Sequence, residues 1–169
     1  MKKAEPHFLE LFETVSAIIL DVDGVLTDGS LLVTNQGDEL RTMHIRDGYA
    51  LQLAVKKGFE VMVISGGRSE GVVKRLNRLG IMHVLMGVED KPGALRQLSG
   101  ALKLDLSTTV YVGDDVPDVE AMRMCGVPCC PADADTEVKA IAKYHSPVNG
   151  GKGCVRDVIE KILRIQGKW

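Results

Sequence analysis

Two aspartates separated by one residue, Asp21-Val22-Asp23, are followed by Gly24 and then by Thr27, Asp28 and Gly29. Directly after an apolar run, such a pair can set one carboxylate against a metal ion and the other nearby as acid or base. A calcium-binding EF-hand is excluded, because the position where a bidentate glutamate is required holds Leu32. A nucleotide-sugar transferase could use the same metal-binding pair, and buried carboxylates capping a loop are a structural alternative. A second acidic group, Gly113-Asp114-Asp115-Val116-Pro117-Asp118, crowds three carboxylates together. Such crowding is costly unless a cation offsets it or the loop is solvated.

Ser65-Gly66-Gly67-Arg68 joins a hydroxyl to small residues that permit close backbone approach, a ready phosphate cradle at the start of a helix. It is no Walker loop, since Val72 and Val73 stand where lysine and serine or threonine belong, and no G-x-G-x-x-G fingerprint occurs. A serine helix cap is the plain alternative for Ser65. Lys91 precedes Pro92 at an expected helix start, where its charge would face whatever the neighbouring strand ends hold; a surface lysine is the alternative.

These residues need elements to bring them together. Short apolar runs at 17–20, 60–64, 83–86, 109–112 and 127–129 read as five buried strands. Helical spacing over 49–57, 69–79, 92–102 and 155–165 alternates with them, with Gly58 and Gly80 ending the first two helices. The pattern predicts an α/β fold, a Rossmann-like three-layer sandwich around a central parallel sheet, whose strand ends gather ligands. Residues 29–42 break the alternation as two short strands around an Asn/Gly turn, a projecting hairpin too small for a cap domain. An exposed, partly apolar hairpin invites cover from a partner subunit.

Composition narrows the field. The 169 residues are 45% hydrophobic and 26% charged, ordinary for one globular domain spanning 1–169 and unlike disordered or fibrous chains. Aromatics make up only 4%, so the core is expected to be aliphatic. A net charge of −2 supplies no global field for nucleic acid, so any phosphate site must be local. No apolar run approaches the roughly 20 residues of a membrane span. The start, with Glu5, Pro6 and Glu10 after two lysines, does not read as a signal peptide, which makes the cytoplasm the expected compartment. Cys125, Cys129, Cys130 and Cys154 follow no zinc spacing and read as small buried hydrophobes.

With Asp21-x-Asp23, Ser65, Lys91 and Gly113-Asp114-Asp115-x-x-Asp118 in this order, the sequence resembles the haloacid dehalogenase-like phosphatases. The run from Asp21 to Gly29, the Arg46-Asp47-Gly48-Tyr49 tetrad, Ser65 to Arg68 and the late Gly150-Gly151-Lys152-Gly153-Cys154-Val155-Arg156 look most like the capless 3-deoxy-D-manno-octulosonate 8-phosphate phosphatases. One departure stands out: Ser65-Gly66-Gly67-Arg68 carries an extra glycine relative to the commoner Ser/Thr-Gly-Arg of the family.

The resemblance implies a magnesium-dependent sugar-acid phosphatase of lipopolysaccharide core synthesis. Asp21 would be the nucleophile and Asp23 the acid and base. Magnesium would lie between Asp21, the backbone carbonyl of Asp23 and Asp114. Ser65, Gly66 and Lys91 would hold the phosphoryl group, and Asp115 and Asp118 would orient Lys91 or the metal's water ligands. Arg46, Arg68 and Lys152 would meet the substrate's carboxylate and hydroxyls. The resemblance also implies a homotetramer in which the hairpin and the 150–169 tail border a neighbouring active site. A phosphatase for nine-carbon sugar acids, or one of broader range, is the alternative enzyme. A non-catalytic assembly module is the alternative outside enzymes, and it would lack the nucleophile or metal ligands that are all present here.

Overall fold

The structure is a computed structural model that describes residues 7–169. Part of the signal-peptide reading, that on residues 1–6, lies outside the described residues, whereas Glu10 falls in the first helix. Helices α1 (Phe8–Glu13), α2 (Ile45–Lys56), α3 (Glu70–Arg78), α4 (Lys91–Leu102), α5 (Val119–Met124), α6 (Thr136–Ile141) and α7 (Cys154–Ile165) surround one sheet. Its strands are β1 (Ala17–Leu20), β4 (Glu60–Ile64), β5 (His83–Leu85), β6 (Thr109–Val112), β7 (Val127–Cys130) and β8 (Tyr144–His145). All pairings are parallel, in the order β5-β4-β1-β6-β7-β8. The chain builds outward on one side of β1 and then returns to build on the other, so the crevice where the winding reverses opens at the carboxyl ends of β1, β4 and β6.

Alternation along each strand explains the three layers. Ile18 and Leu20 of β1 face a core completed by Phe12 of α1, Leu51 of α2, Leu76 of α3 and the apolar stripe of α7. Ala17 and Ile19 face a second core built with Leu95 of α4, Met122 of α5 and Val138 of α6. Both cores are mainly aliphatic, and all four cysteines are free and buried, as expected. The positive φ of Gly58 (+85°) and Gly80 (+91°) ends α2 and α3 as the spacing predicts.

The hairpin consists of β2 (Leu32–Val33) and β3 (Glu39–Leu40), paired Leu32 to Leu40 and Val33 to Glu39. It is shorter in regular pairing than its sequence suggests, because Thr34 to Asp38 close the turn through their own hydrogen bonds. The sheet has six strands where the sequence predicts five. The extra strand, β8, contributes only two residues at the edge, and α1, α5 and α6 run for six residues each, too few for a periodic signal. Helix α2 begins at Ile45, four residues before its apolar periodicity becomes visible.

Helix α7 buries Val155, Val158, Ile159, Ile162 and Leu163 on one face. Ile159→Ala is therefore expected to cost about 2–5 kcal/mol in urea denaturation. A loss below about 1 kcal/mol would mean that α7 does not close this core.

Candidate active site

Asp21 directly follows β1, and its N–H donates to the Val112 carbonyl of β6 at 3.0 Å, tying the first acidic loop to the second. The chain then turns tightly. The N–H groups of Leu26 and Thr27 converge on the Val22 carbonyl at 2.9 and 3.0 Å, and Gly24 adopts a φ of +85°. A Cβ on Gly24 would overlap the Asp114 carboxylate, and one on Gly113 would come within 2.6 Å of Asp118. Glycine at both positions lets the two acid-bearing loops close on each other. Buried Thr27, to which the sequence reading gives no role, accepts from the N–H of Gly29 at 3.2 Å and so stiffens the first loop.

Lys91, at the first turn of α4, reaches into the space between these loops. Its Nζ donates to Asp21 Oδ2 and to Asp118 Oδ1, both at 2.7 Å, and the lysine is only 4% exposed. Asp118 is engaged on both oxygens: Oδ1 also accepts from the Tyr111 hydroxyl at 3.0 Å, and Oδ2 accepts from the Asp114 N–H at 3.2 Å. Burial pulls the Lys91 ammonium down, but the flanking Asp21 and Asp118 charges outweigh it and hold it above the usual lysine range. Burial, with Asp118 adding its charge, pushes Asp21 up against the pull of Lys91. Burial and the neighbouring carboxylates push Asp114 up to about 8.

The cleft is about 600 Å³ and is lined by Asp21, Asp23, Glu89, Asp114, Asp115 and Asp118, with Lys91 as the one cationic lining residue. Oxygens of Asp21, Asp114 and Asp118 lie within 4.8 Å of one another. Asp114 Oδ1 is buried with no hydrogen-bond partner. An all-oxygen donor set, an excess of negative charge and an orphaned buried carboxylate oxygen suit a hard divalent cation such as magnesium.

Ser65 follows β4 and is 1% exposed at the same cleft, beside Gly66 and Gly67. It is not the helix cap: Ser69 caps α3 by accepting from the Val72 N–H at 3.3 Å. Asp115 lines the cleft but accepts from the Val116 N–H, while Asp118 alone of the two supports Lys91.

The side chain of Asp23 is met by a residue that the motifs do not mark. Arg41, just after β3, donates through Nε to Asp23 Oδ1 at 2.8 Å and through Nη2 to Oδ2 at 3.1 Å. The pair holds the Arg41 guanidinium above even its usual range. Its signal in the sequence is slight, a lone basic residue at the base of the hairpin.

Arg46, Arg68 and Lys152 do not join this cleft within one chain. Arg46 and Lys152 line a separate groove of about 560 Å³ with His44, Arg156 and Lys161. Lys152 is more than half exposed and pairs with Asp28 at 3.0 Å, a contact of small energetic weight. Arg68 lines a neighbouring cleft of about 970 Å³ between the hairpin and α3. The Arg46-Asp47-Gly48-Tyr49 tetrad ties helices together: buried Asp47 accepts from the Arg156 N–H at 2.6 Å, closing the start of α7. The late glycines buttress the first acidic loop. Gly151 N–H donates to the Val25 carbonyl at 2.9 Å, and a Cβ on Gly150 would overlap the Gly24 carbonyl.

A carboxyl group that ionises near pH 8 in the fold and near 3.8 when unfolded carries an extra proton in the native state between those values. Metal-free stability from Asp114 is therefore lost as pH rises through that window, and a cation that takes the ionised form binds better at the top of it. Millimolar magnesium is expected to raise the melting temperature more at pH 8 than at pH 6. An equal rise at both values would contradict Asp114 as a ligand.

Comparison with known proteins agrees with this geometry. A model of haloacid dehalogenase-like hydrolases matches residues 80–159. The 3-deoxy-D-manno-octulosonate 8-phosphate phosphatase of Salmonella typhimurium is 37% identical over 163 residues, covering 96% of this chain and 87% of the relative. The crystal structure of the Yersinia pestis phosphatase superposes with a TM-score of 0.92 at 34% identity, covering 95% of this chain and 86% of that one. The Moraxella catarrhalis phosphatase, in complex with magnesium, phosphate and KDO, gives 0.91 at 33% identity and covers 94% of this chain and 91% of that one. Similarity sustained over nearly the full length of both partners, together with the acid-lined crevice at the strand ends, makes this chain a member of the 3-deoxy-D-manno-octulosonate 8-phosphate phosphatase family of haloacid dehalogenase-like hydrolases.

Proposed function

We propose that this chain hydrolyses 3-deoxy-D-manno-octulosonate 8-phosphate to the free sugar acid and inorganic phosphate, with magnesium as cofactor, in the cytoplasm. The observation that carries this reading is the Asp21 carboxylate, gripped by Lys91 at 2.7 Å in a cleft whose surplus of carboxylates suits a cation. Asp21, Asp114 and the carbonyl of Asp23 are the groups that would hold magnesium. When bound, it supplies the positive charge that lets a phosphate dianion approach an anionic nucleophile.

Asp21 attacks phosphorus, and the bond from phosphorus to the sugar oxygen breaks as an aspartyl phosphate forms. Asp23 gives its proton to the departing oxygen, then takes one from the water that attacks the aspartyl phosphate and releases phosphate. Lys91 and the Ser65 hydroxyl, with the Gly66 N–H, hold the phosphoryl oxygens whose charge grows during transfer. Lys91 can do so because Asp118 fixes it from behind.

The reading extends to a homotetramer. Leu31, Leu32, Val33 and Leu40 leave an apolar surface on the hairpin, with Leu32 67% exposed, and Ile45 beside it is 79% exposed. A second copy is the partner this reading supplies, and Arg46 and Lys152 then become groups that could serve a neighbouring site.

Asp21→Asn is expected to fold normally and to lose more than about a thousandfold in kcat, because an amide cannot form the aspartyl phosphate. Near-normal phosphate release by this variant would overturn the mechanism. Leu32→Asp is expected to shift the mass measured by light scattering from tetramer toward monomer. An unchanged mass would remove the hairpin from the interface.

A further inference from the structure

Arg41 holds a carboxylate in the geometry by which guanidinium groups recognise one, two N–H donors on two oxygens at 2.8 and 3.1 Å. Its side chain is 3% exposed. The space it occupies exists because residue 67 is glycine: a Cβ there would lie 2.7 Å from Asp23 Oδ2 and 3.0 Å from Arg41 Nη2. A side chain at 67 and the Arg41 guanidinium compete for one volume. In the commoner Ser/Thr-Gly-Arg pattern, the arginine falls at the position this chain fills with Gly67. Here the following arginine, Arg68, folds across Gly87, where a Cβ would lie 2.9 Å from its Nε, and it makes no ion pair among the described residues.

Arg41 also stands at a junction. On one side is Asp23 in the acid-lined cleft, and on the other the cleft of about 970 Å³ between the hairpin and α3. With Ser65 and Lys91 as the phosphoryl seat and Asp23 as the group that serves the leaving oxygen in the proposed function, the rest of the substrate would extend past Asp23 toward the cleft that Arg41 lines. We propose that Arg41 is the specificity-determining guanidinium of this chain, delivered by the hairpin into the space left by Gly67 to take the carboxylate of a sugar-acid phosphate. Asp23 holds it in place until that carboxylate arrives. The exchange swaps one carboxylate for another on the same donors, so no buried guanidinium is left unpaired, and it frees the Asp23 oxygens to face the leaving oxygen. A phosphate ester without a carboxylate leaves Arg41 on Asp23. This inference rests on the phosphatase reading above.

The test compares kcat/KM on 3-deoxy-D-manno-octulosonate 8-phosphate with that on ribose 5-phosphate, a primary alkyl phosphate without a carboxylate. In Arg41→Ala the ratio of the two is expected to fall about 10- to 100-fold, the range for losing a charge-assisted hydrogen-bonded contact, chiefly through KM for the sugar acid. Arg41→Lys keeps the charge without the fork and is expected to recover only part of the ratio. Gly67→Ala, which crowds the Asp23–Arg41 pair while leaving Arg41 itself unchanged, is expected to lower the ratio as well, and these two variants carry the test if Arg41→Ala does not fold. Equal losses on both esters would assign Arg41 to Asp23 or to the fold and overturn the proposal. So would a ratio that survives in Arg41→Ala and falls in Arg68→Ala. Failure of the phosphatase reading looks different, since the unmodified protein would then hydrolyse neither ester.

Discussion

The structure is organised around one buried ammonium group. Lys91 lies between Asp21 and Asp118 at 2.7 Å from each, almost out of contact with solvent. Buried ion pairs of this kind do little for net stability, because the cost of removing the charges from water nearly cancels their attraction, whereas removing one member costs about 3–5 kcal/mol. The group is better understood as a positioning device. Asp118 accepts from Lys91, Tyr111 and the Asp114 N–H at once, which suits it to fixing the lysine. Asp21 is held by Lys91 and the Val22 N–H and still faces the cleft. Lys91 among six lining carboxylates, with Arg41 paired to only one of them, Asp23, leaves a local deficit of positive charge in a chain whose total is only −2. That deficit makes a cation a structural requirement of phosphate chemistry here.

Bringing so many carboxylates together demands a scaffold that does not yield. The parallel sheet supplies it, since β1, β4 and β6 are adjacent and end at one crevice. Glycines then allow the loops to close: Gly24 against Asp114, Gly113 against Asp118, Gly150 against the Gly24 carbonyl. The contacts continue outward. The Asp135 N–H donates to the Asp114 carbonyl at 2.7 Å, and the Gly150 N–H donates to Asp133 at 2.9 Å, so the loop after β7 links the second acidic loop to the turn that supports the first. Two aliphatic cores, one on each face of the sheet, offset the unfavourable electrostatics of the cleft.

Much of this was legible in the sequence, for identifiable reasons. Asp21 and Ser65 directly follow buried strands, Asp114 follows one after a single glycine, and Lys91 opens a helix, so linear order alone places them at one end of a parallel sheet. The two-faced alternation of β1 and the stripe of α7 announce the layers. Arg41 was not legible, because its path to Asp23 depends on how an irregular hairpin folds back, and no periodicity encodes that. The resemblance and their charge suggest Arg46 and Lys152 as substrate contacts, yet within one chain they line another groove, a separation that only the three-dimensional placement of α2 and the Gly150 turn reveals. Strand β8 and the short helices carry no periodic signal because they are held by tertiary packing rather than by local pattern. Gly67 gains a meaning only in three dimensions, where its missing side chain is seen to make room for a guanidinium.

The claim on which all of this rests is that the carboxylate surplus beside Lys91 is completed by a divalent cation. Anomalous diffraction from crystals soaked in manganese, a stand-in for magnesium, tests it most directly. The account predicts one strong peak within coordination distance of both Asp21 and Asp114. Diffraction showing no peak in that cleft at saturating manganese, or a peak only elsewhere on the molecule, would contradict it.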